Sequence, residues 1–139
     1  AASGDHVLVV WADRASASDA WGLRSQRTKI GEAPEAARAF NPPAGGLGAP
    51  FMSPGVTSLG GGRFLIVWTE GAVSSHQVRA QTIDAKGAPQ GDAIVVSADG
   101  VNAGQGQAAI GTDGRGIVAY LASSGKSFEV VATPISCPR

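Results

Sequence analysis

Two histidines, His6 and His76, are the first residues to weigh for chemistry, since an imidazole can move a proton near neutral pH. His76 follows Ser74 and Ser75, and acids elsewhere in the chain would complete a Ser-His-Asp set. A serine nucleophile of that kind needs a strained turn or an oxyanion-forming context, and no Gly-x-Ser-x-Gly segment is present. His6 heads an apolar run, where a polar residue marks the wet end of a strand. Calcium loops need acidic oxygens at alternate positions around a glycine. Asp84-Ala85-Lys86-Gly87 and Ser97-Ala98-Asp99-Gly100 each offer a single acid and read as turns. Thr112-Asp113-Gly114-Arg115-Gly116 lacks the lysine of a phosphate loop and reads as a hairpin. Nothing distinguishes Asp84, Asp92 or Asp99 from turn residues as members of a glycosidase carboxylate pair. The expectation is a non-catalytic chain with no cofactor and no bound metal.

The aromatic side chains point elsewhere. Trp11, Trp68 and Tyr120 each end an apolar run, and recurrence at that position suits a core. Trp21 is different, because it stands in a variable stretch between Asp19 and Arg24 and has no aromatic counterpart in the second repeat. Aromatic faces beside polar groups are a common way to hold sugars, so Trp21 leads the candidate ligand-binding set. Arg24 and Gln26, with their counterparts Arg79 and Gln81, complete it. At alternate positions of one strand, such a pair shares a face, where it either lines a polar groove or hydrogen-bonds a neighbouring unit.

The elements that position these residues follow from a repeat. Gly62-Arg63-Phe64-Leu65-Ile66-Val67-Trp68 echoes Gly4-Asp5-His6-Val7-Leu8-Val9-Val10-Trp11, 57 residues earlier, and Gly114-Arg115-Gly116-Ile117-Val118-Ala119-Tyr120, 52 residues later. Leu23-Arg24-Ser25-Gln26 matches Val78-Arg79-Ala80-Gln81 at a spacing of 55, and Val130-Val131-Ala132-Thr133 takes the third place. Ala33-Pro34 matches Ala88-Pro89 at that same spacing, which sets Phe40 on Val95. Taken locally, Glu35-Ala36-Ala37-Arg38-Ala39 favours a helix. The repeat places it at the approach to the β-branched run Ile94-Val95-Val96, which predicts strand. One unit therefore reads as strands over Gly55 to Leu59, Arg63 to Thr69, Gln77 to Ile83 and Asp92 to Ser97. Weak alternation across Phe64 to Trp68 predicts burial on both faces. The whole chain, 1–139, is one repeat-built β domain with units at approximately 4–54, 55–104 and 105–139.

Four strands in a little over fifty residues is the size of a propeller blade. Gly, an apolar run ending in Trp, Val-Arg-Ala-Gln, and Asp-Ala-x-Gly-x-Pro-x-Gly-Asp before a Val-Val-Ser strand together resemble the tandem β-propeller-type repeats of large secreted or surface bacterial proteins. The resemblance covers residues 4–136 and is best over 55–97. It implies an all-β fold, a secreted or cell-surface location, and roles in adhesion or as structural protein; it transfers no catalytic residue.

In this register the chain starts in the second strand of one unit and stops in the third strand of another, about ten strands or two and a half blades. Propellers close with four to eight blades, so the incomplete ring is expected to need a partner: further copies of itself, or a second chain. Eleven basic and eleven acidic side chains cancel, with no Lys/Arg block, which excludes the electrostatic footprint of nucleic-acid binding. The longest apolar run, Phe64 to Trp68, is far too short for a membrane helix. No basic and apolar leader precedes the first strand, so a secretion signal is expected to have been removed or never present. The single Cys137 closes no internal disulfide; it is either an inert thiol or a link between chains. The functional expectation is recognition or assembly, with carbohydrate binding its sharper version. The alternatives are a structural subunit of an extracellular layer or filament, and a fragment of a secreted hydrolase.

Overall fold

The computed structural model describes residues 1–14, 16–17, 19–40, 54–72 and 74–137. The part of the first unit at 41–53 lies outside them. The chain is all-β, and the described residues contain eleven strands and no helix. The first sheet is β1 (Ala2–Ser3), β2 (His6–Asp13), β3 (Gly22–Lys29) and β4 (Arg38–Phe40). The middle sheet is β5 (Gly55–Gly60), β6 (Arg63–Glu70), β7 (Gln77–Ile83) and β8 (Pro89–Val95). The third is β9 (Ala103–Ile110), β10 (Arg115–Ser124) and β11 (Ser127–Ser136). Each is an antiparallel meander in which sequence neighbours are spatial neighbours.

Local chemistry explains the turns. Gly61 and Gly62 link β5 to β6 at φ of 61° and 77°, a left-handed pair that side chains other than glycine rarely accept. Between β7 and β8, Asp84 Oδ1 accepts hydrogen bonds from the backbone N–H groups of Lys86 and Ala88, at 2.8 and 2.9 Å, and holds the turn from inside.

Packing follows from β6, whose side chains from Phe64 to Glu70 are all buried. Phe64, Ile66 and Trp68 meet Leu8, Leu23 and Phe40 of the first sheet. Leu65 and Val67, on the other face, meet Val118, Tyr120 and Ala122 of the third. The middle sheet is thus covered on both faces, as the continuous apolar run requires. Gly106 in β9 allows the close approach on the third-sheet side: a Cβ there would lie 2.6 Å from Val78 Cγ1 and 2.7 Å from Val67 Cγ1. Polar ties cross both junctions. The Gly62 N–H donates to Ser3 Oγ at 3.1 Å, and the Gln105 N–H donates to Thr69 Oγ1 at 3.0 Å.

Two boundaries differ from the sequence expectation. A two-residue β1 pairs Ala2 with Val7 and Ser3 with His6, so the chain enters at the end of a first strand rather than in a second. β8 begins at Pro89 instead of Asp92, because Ile83 and Thr82 pair with Pro89 and Gln90 before a register shift between Ala80 and Thr82. Val96 still donates to the Val78 carbonyl at 2.8 Å, so the pairing continues past the end of the regular strand. The helix-prone stretch before β4 is not helical: residues 33–37 are irregular, and Arg38–Phe40 join the sheet.

Candidate functional site

The five sequence candidates do not converge on one groove. Trp21 packs against the apolar cluster between the first and middle sheets, and the Arg14 guanidinium covers its ring at 4.7 Å from the centroid. Arg24 and Gln26 leave β3 on the opposite face from Leu23, away from that cluster. Arg79 and Gln81 lie on the face of β7 turned towards the first sheet, the face that Ile83 shares.

Each polar candidate is engaged within its own sheet. Arg24 Nε sits 2.7 Å from Asp13 Oδ2, and Arg79 Nε sits 2.6 Å from Glu70 Oε1. Gln26 Nε2 donates to the Glu35 carbonyl at 2.9 Å, and Gln81 Nε2 donates to the Gly91 carbonyl at 2.6 Å. Those acceptors lie just before β4 and within β8, so both glutamines tie their strand to the next. The first and middle sheets thus hold a similar polar framework. Trp11 pairs across the ladder with Arg24, and Trp68 pairs with Arg79. In the middle sheet, Trp68 Nε1 also donates to Glu70 Oε2 at 2.8 Å, which links a buried aromatic and a buried acid to the partly exposed Arg79.

A recess at the junction of the middle and third sheets carries residues that spacing alone did not single out. It has a volume of about 280 Å³ and is lined by His76, Asn102, Ala103, Gly104, Gln105, Leu121 and Phe128. Asn102 Oδ1 accepts from the His76 N–H at 2.9 Å and lies 3.2 Å from His76 Nδ1. An amide oxygen only accepts, so Nδ1 carries a proton and, in the neutral ring, Nε2 presents a lone pair. That Nε2 is buried without a hydrogen-bond partner. Gln105 holds the left-handed conformation at φ 56° on the rim, and Phe128 is 71% exposed. An unpaired acceptor beside an exposed ring suits a hydroxyl-bearing ligand.

The imagined nucleophile is not assembled in this geometry. Ser75 Oγ donates to the Ala72 carbonyl at 3.3 Å, while the His76 ring is turned to Asn102. His6 Nε2 accepts from Arg27 Nη2 at 2.9 Å at the first junction. Among the described residues, no three His, Cys, Asp or Glu side chains gather as metal ligands.

No match was found. Neither a protein-family model, nor a curated protein, nor a solved structure matches this chain. No helix among the described residues is long and apolar enough to cross a membrane. His76 was weighed only as part of a serine triad and Asn102 not at all, because the two stand 26 residues apart and only the junction of two sheets brings them together.

Proposed function

We propose that the chain is a β-propeller-type domain, secreted or displayed at a cell surface, whose work is recognition or assembly rather than catalysis. The supporting observation is the repeated framework of Trp11, Asp13 and Arg24 and of Trp68, Glu70 and Arg79. Polar side chains that a catalytic site would need free are committed to holding strands together. In the sharper version of the reading, the ligand is a carbohydrate. Two places suit it: the Trp21 ring under Arg14, and the recess that exposes Phe128 beside His76 Nε2.

The experiment is a binding screen with immobilised oligosaccharides, run beside a turnover screen on chromogenic glycosides and esters. Retained glycan binding that falls on Trp21→Ala or on His76→Gln identifies the site and supports recognition. Binding to no glycan leaves a structural subunit as the reading. Turnover above the blank overturns the non-catalytic assignment in favour of a secreted hydrolase.

A further inference from the structure

We propose that the recess at the junction of the middle and third sheets, rather than the Trp21 ring, is the ligand site of this chain, and that it takes one uncharged hydroxylated ring: a single sugar residue, free or at the end of an oligosaccharide. The inference rests on the recognition half of the functional reading and names its site and ligand class.

The site is built around one buried atom. His76 is 8% exposed, and its Nε2 has no hydrogen-bond partner. A buried acceptor left without a donor is costly and uncommon in folded proteins. The other side of the ring is fixed. Asn102 Oδ1 accepts from the His76 N–H at 2.9 Å and lies 3.2 Å from Nδ1, and the His76 carbonyl accepts from the Ala103 N–H at 2.9 Å. Asn102 is itself held, since its carbonyl accepts from the Ser123 N–H at 2.9 Å. The ring is thus pinned with Nδ1 towards Asn102, and in its neutral form Nε2 is the atom left for a hydroxyl that enters the recess.

A second feature falls at the same place. Gln107 pairs with Ala119 and Gly104 with Leu121, so Gln105 and Gly106 together oppose the single residue Tyr120. This bulge holds Gln105 at φ 56°, a conformation that side chains other than glycine rarely adopt, while its N–H donates to Thr69 Oγ1 at 3.0 Å. Bulges re-aim side chains and are enriched next to functional sites. Here the bulge sets the exposed Gln105 side chain at the recess, where its amide offers both a donor and an acceptor. Both sheets of this junction belong to the described residues, and His76, Asn102 and Gln105 all stand at it.

The lining determines the ligand class. It contains no aspartate, glutamate, lysine or arginine, so a charged ligand would lose water without gaining a counter-charge. Leu121 and Phe128 add apolar surface to the few polar groups, the combination that suits the C–H face and hydroxyls of a sugar ring. Its volume of about 280 Å³ lies just below the range of about 300–1,000 Å³ that holds drug-sized ligands, which matches one ring rather than a chain of them. The Trp21 ring, by contrast, is packed against the first-junction cluster and covered by Arg14.

The test is titration of the isotope-labelled chain with the methyl glycosides of glucose, galactose, mannose and N-acetylglucosamine, and with glucuronate, following the His76 ring nitrogens by NMR. At least one neutral glycoside is expected to bind and to move the Nε2 signal. Gln105→Gly relieves the left-handed backbone, so this variant should be at least as stable as the parent and yet bind about threefold to tenfold more weakly, the worth of one neutral hydrogen bond. His76→Gln should weaken binding by about tenfold or more, and Trp21→Ala should leave it unchanged. Four results overturn the proposal: no neutral glycoside moves the His76 signals, glucuronate binds as tightly as the neutral rings, binding survives both Gln105→Gly and His76→Gln, or an oligosaccharide binds far more tightly than the methyl glycoside of its terminal residue. Oligosaccharide binding lost on Trp21→Ala alone would move the ligand to the first junction and leave the recognition reading standing, whereas binding to no glycan would remove both.

Discussion

Phe40 meets Trp68 edge-on across the junction of the first and middle sheets, with ring centroids 5.5 Å apart and planes at 78°. Trp68 is fixed from behind by its hydrogen bond to Glu70, so Phe40 packs against a ring that has little freedom to follow it. Edge-to-face aromatic pairs contribute about 0.5–1.5 kcal/mol beyond their burial. Phe40→Ala is therefore expected to cost about 3–5 kcal/mol, the range for deleting a buried aromatic ring. Urea unfolding should show a lower midpoint for Phe40→Ala and an intermediate one for Phe40→Leu, which fills the space without the ring contact. Equal midpoints for the two variants would show that the ring geometry adds nothing.

Glu70 and Asp13 occupy equivalent positions beside equivalent arginines but in different surroundings. The Glu70 side chain is 9% exposed and serves both Trp68 and Arg79, while the Asp13 and Arg24 side chains are 41% and 43% exposed. Removing a buried acceptor strands its donors, whereas a half-exposed ion pair is worth little in water. Glu70→Ala should cost about 2–4 kcal/mol, towards the lower end of values for broken buried pairs because Arg79 keeps some solvent contact. Asp13→Ala should cost about 1 kcal/mol or less. Comparable losses at the two sites would mean that the cover supplied by the first sheet does not determine the worth of the pair.

The fold was legible where the repeat and local chemistry agreed. Gln77–Ile83 was readable residue for residue, because Arg79 and Gln81 recur as Arg24 and Gln26 at a fixed spacing. Phe40 was readable only through its alignment with Val95, since the residues before it favour a helix by composition; pairing with Leu23 prevails over that propensity. The start of β8 was not legible, because a register shift depends on how two backbones meet rather than on side-chain type. The candidate site was read less well. Trp21 was chosen for lacking a counterpart, yet its ring packs against the apolar cluster at the first junction. Alternation assigns a residue to a face but does not say which copy of that face is outermost, so the contrast between Val78 and Val130 had no signal in the sequence.

Gly106 sets how closely the third sheet approaches the middle one. An added methyl group there would fall against Val67 and Val78, both fully buried in the core of that junction. Overpacking of a filled core costs about 1–3 kcal/mol, and Gly106→Ala is expected in that range by denaturant unfolding. Gly22 is the control, since a Cβ there meets only the Asp13 carbonyl at 3.7 Å, an ordinary contact. Gly22→Ala should be neutral or stabilising by a few tenths of a kcal/mol through the unfolded chain. A neutral Gly106→Ala would mean that β9 can withdraw from β6 and β7 without loss.

Cys137 lies at the edge of the groove between the middle and third sheets, near Leu65, Ala80 and Ile135, and not on either outer face. Burial raises its thiol pKa above the ordinary value, and the charge of Arg63 offsets this only in part. The folded chain thus holds the thiol proton more tightly than the unfolded chain. Its contribution to stability is full below the ordinary thiol pKa and is lost as pH rises through the higher folded value. Alkylation by iodoacetamide at pH 8 should be slower in buffer than in urea, with the gap narrowing as pH climbs and the thiolate forms. Because the thiol lines the groove between two sheets, reductant should leave the mass in solution unchanged. A mass that halves on reduction would place Cys137 in a bond between chains.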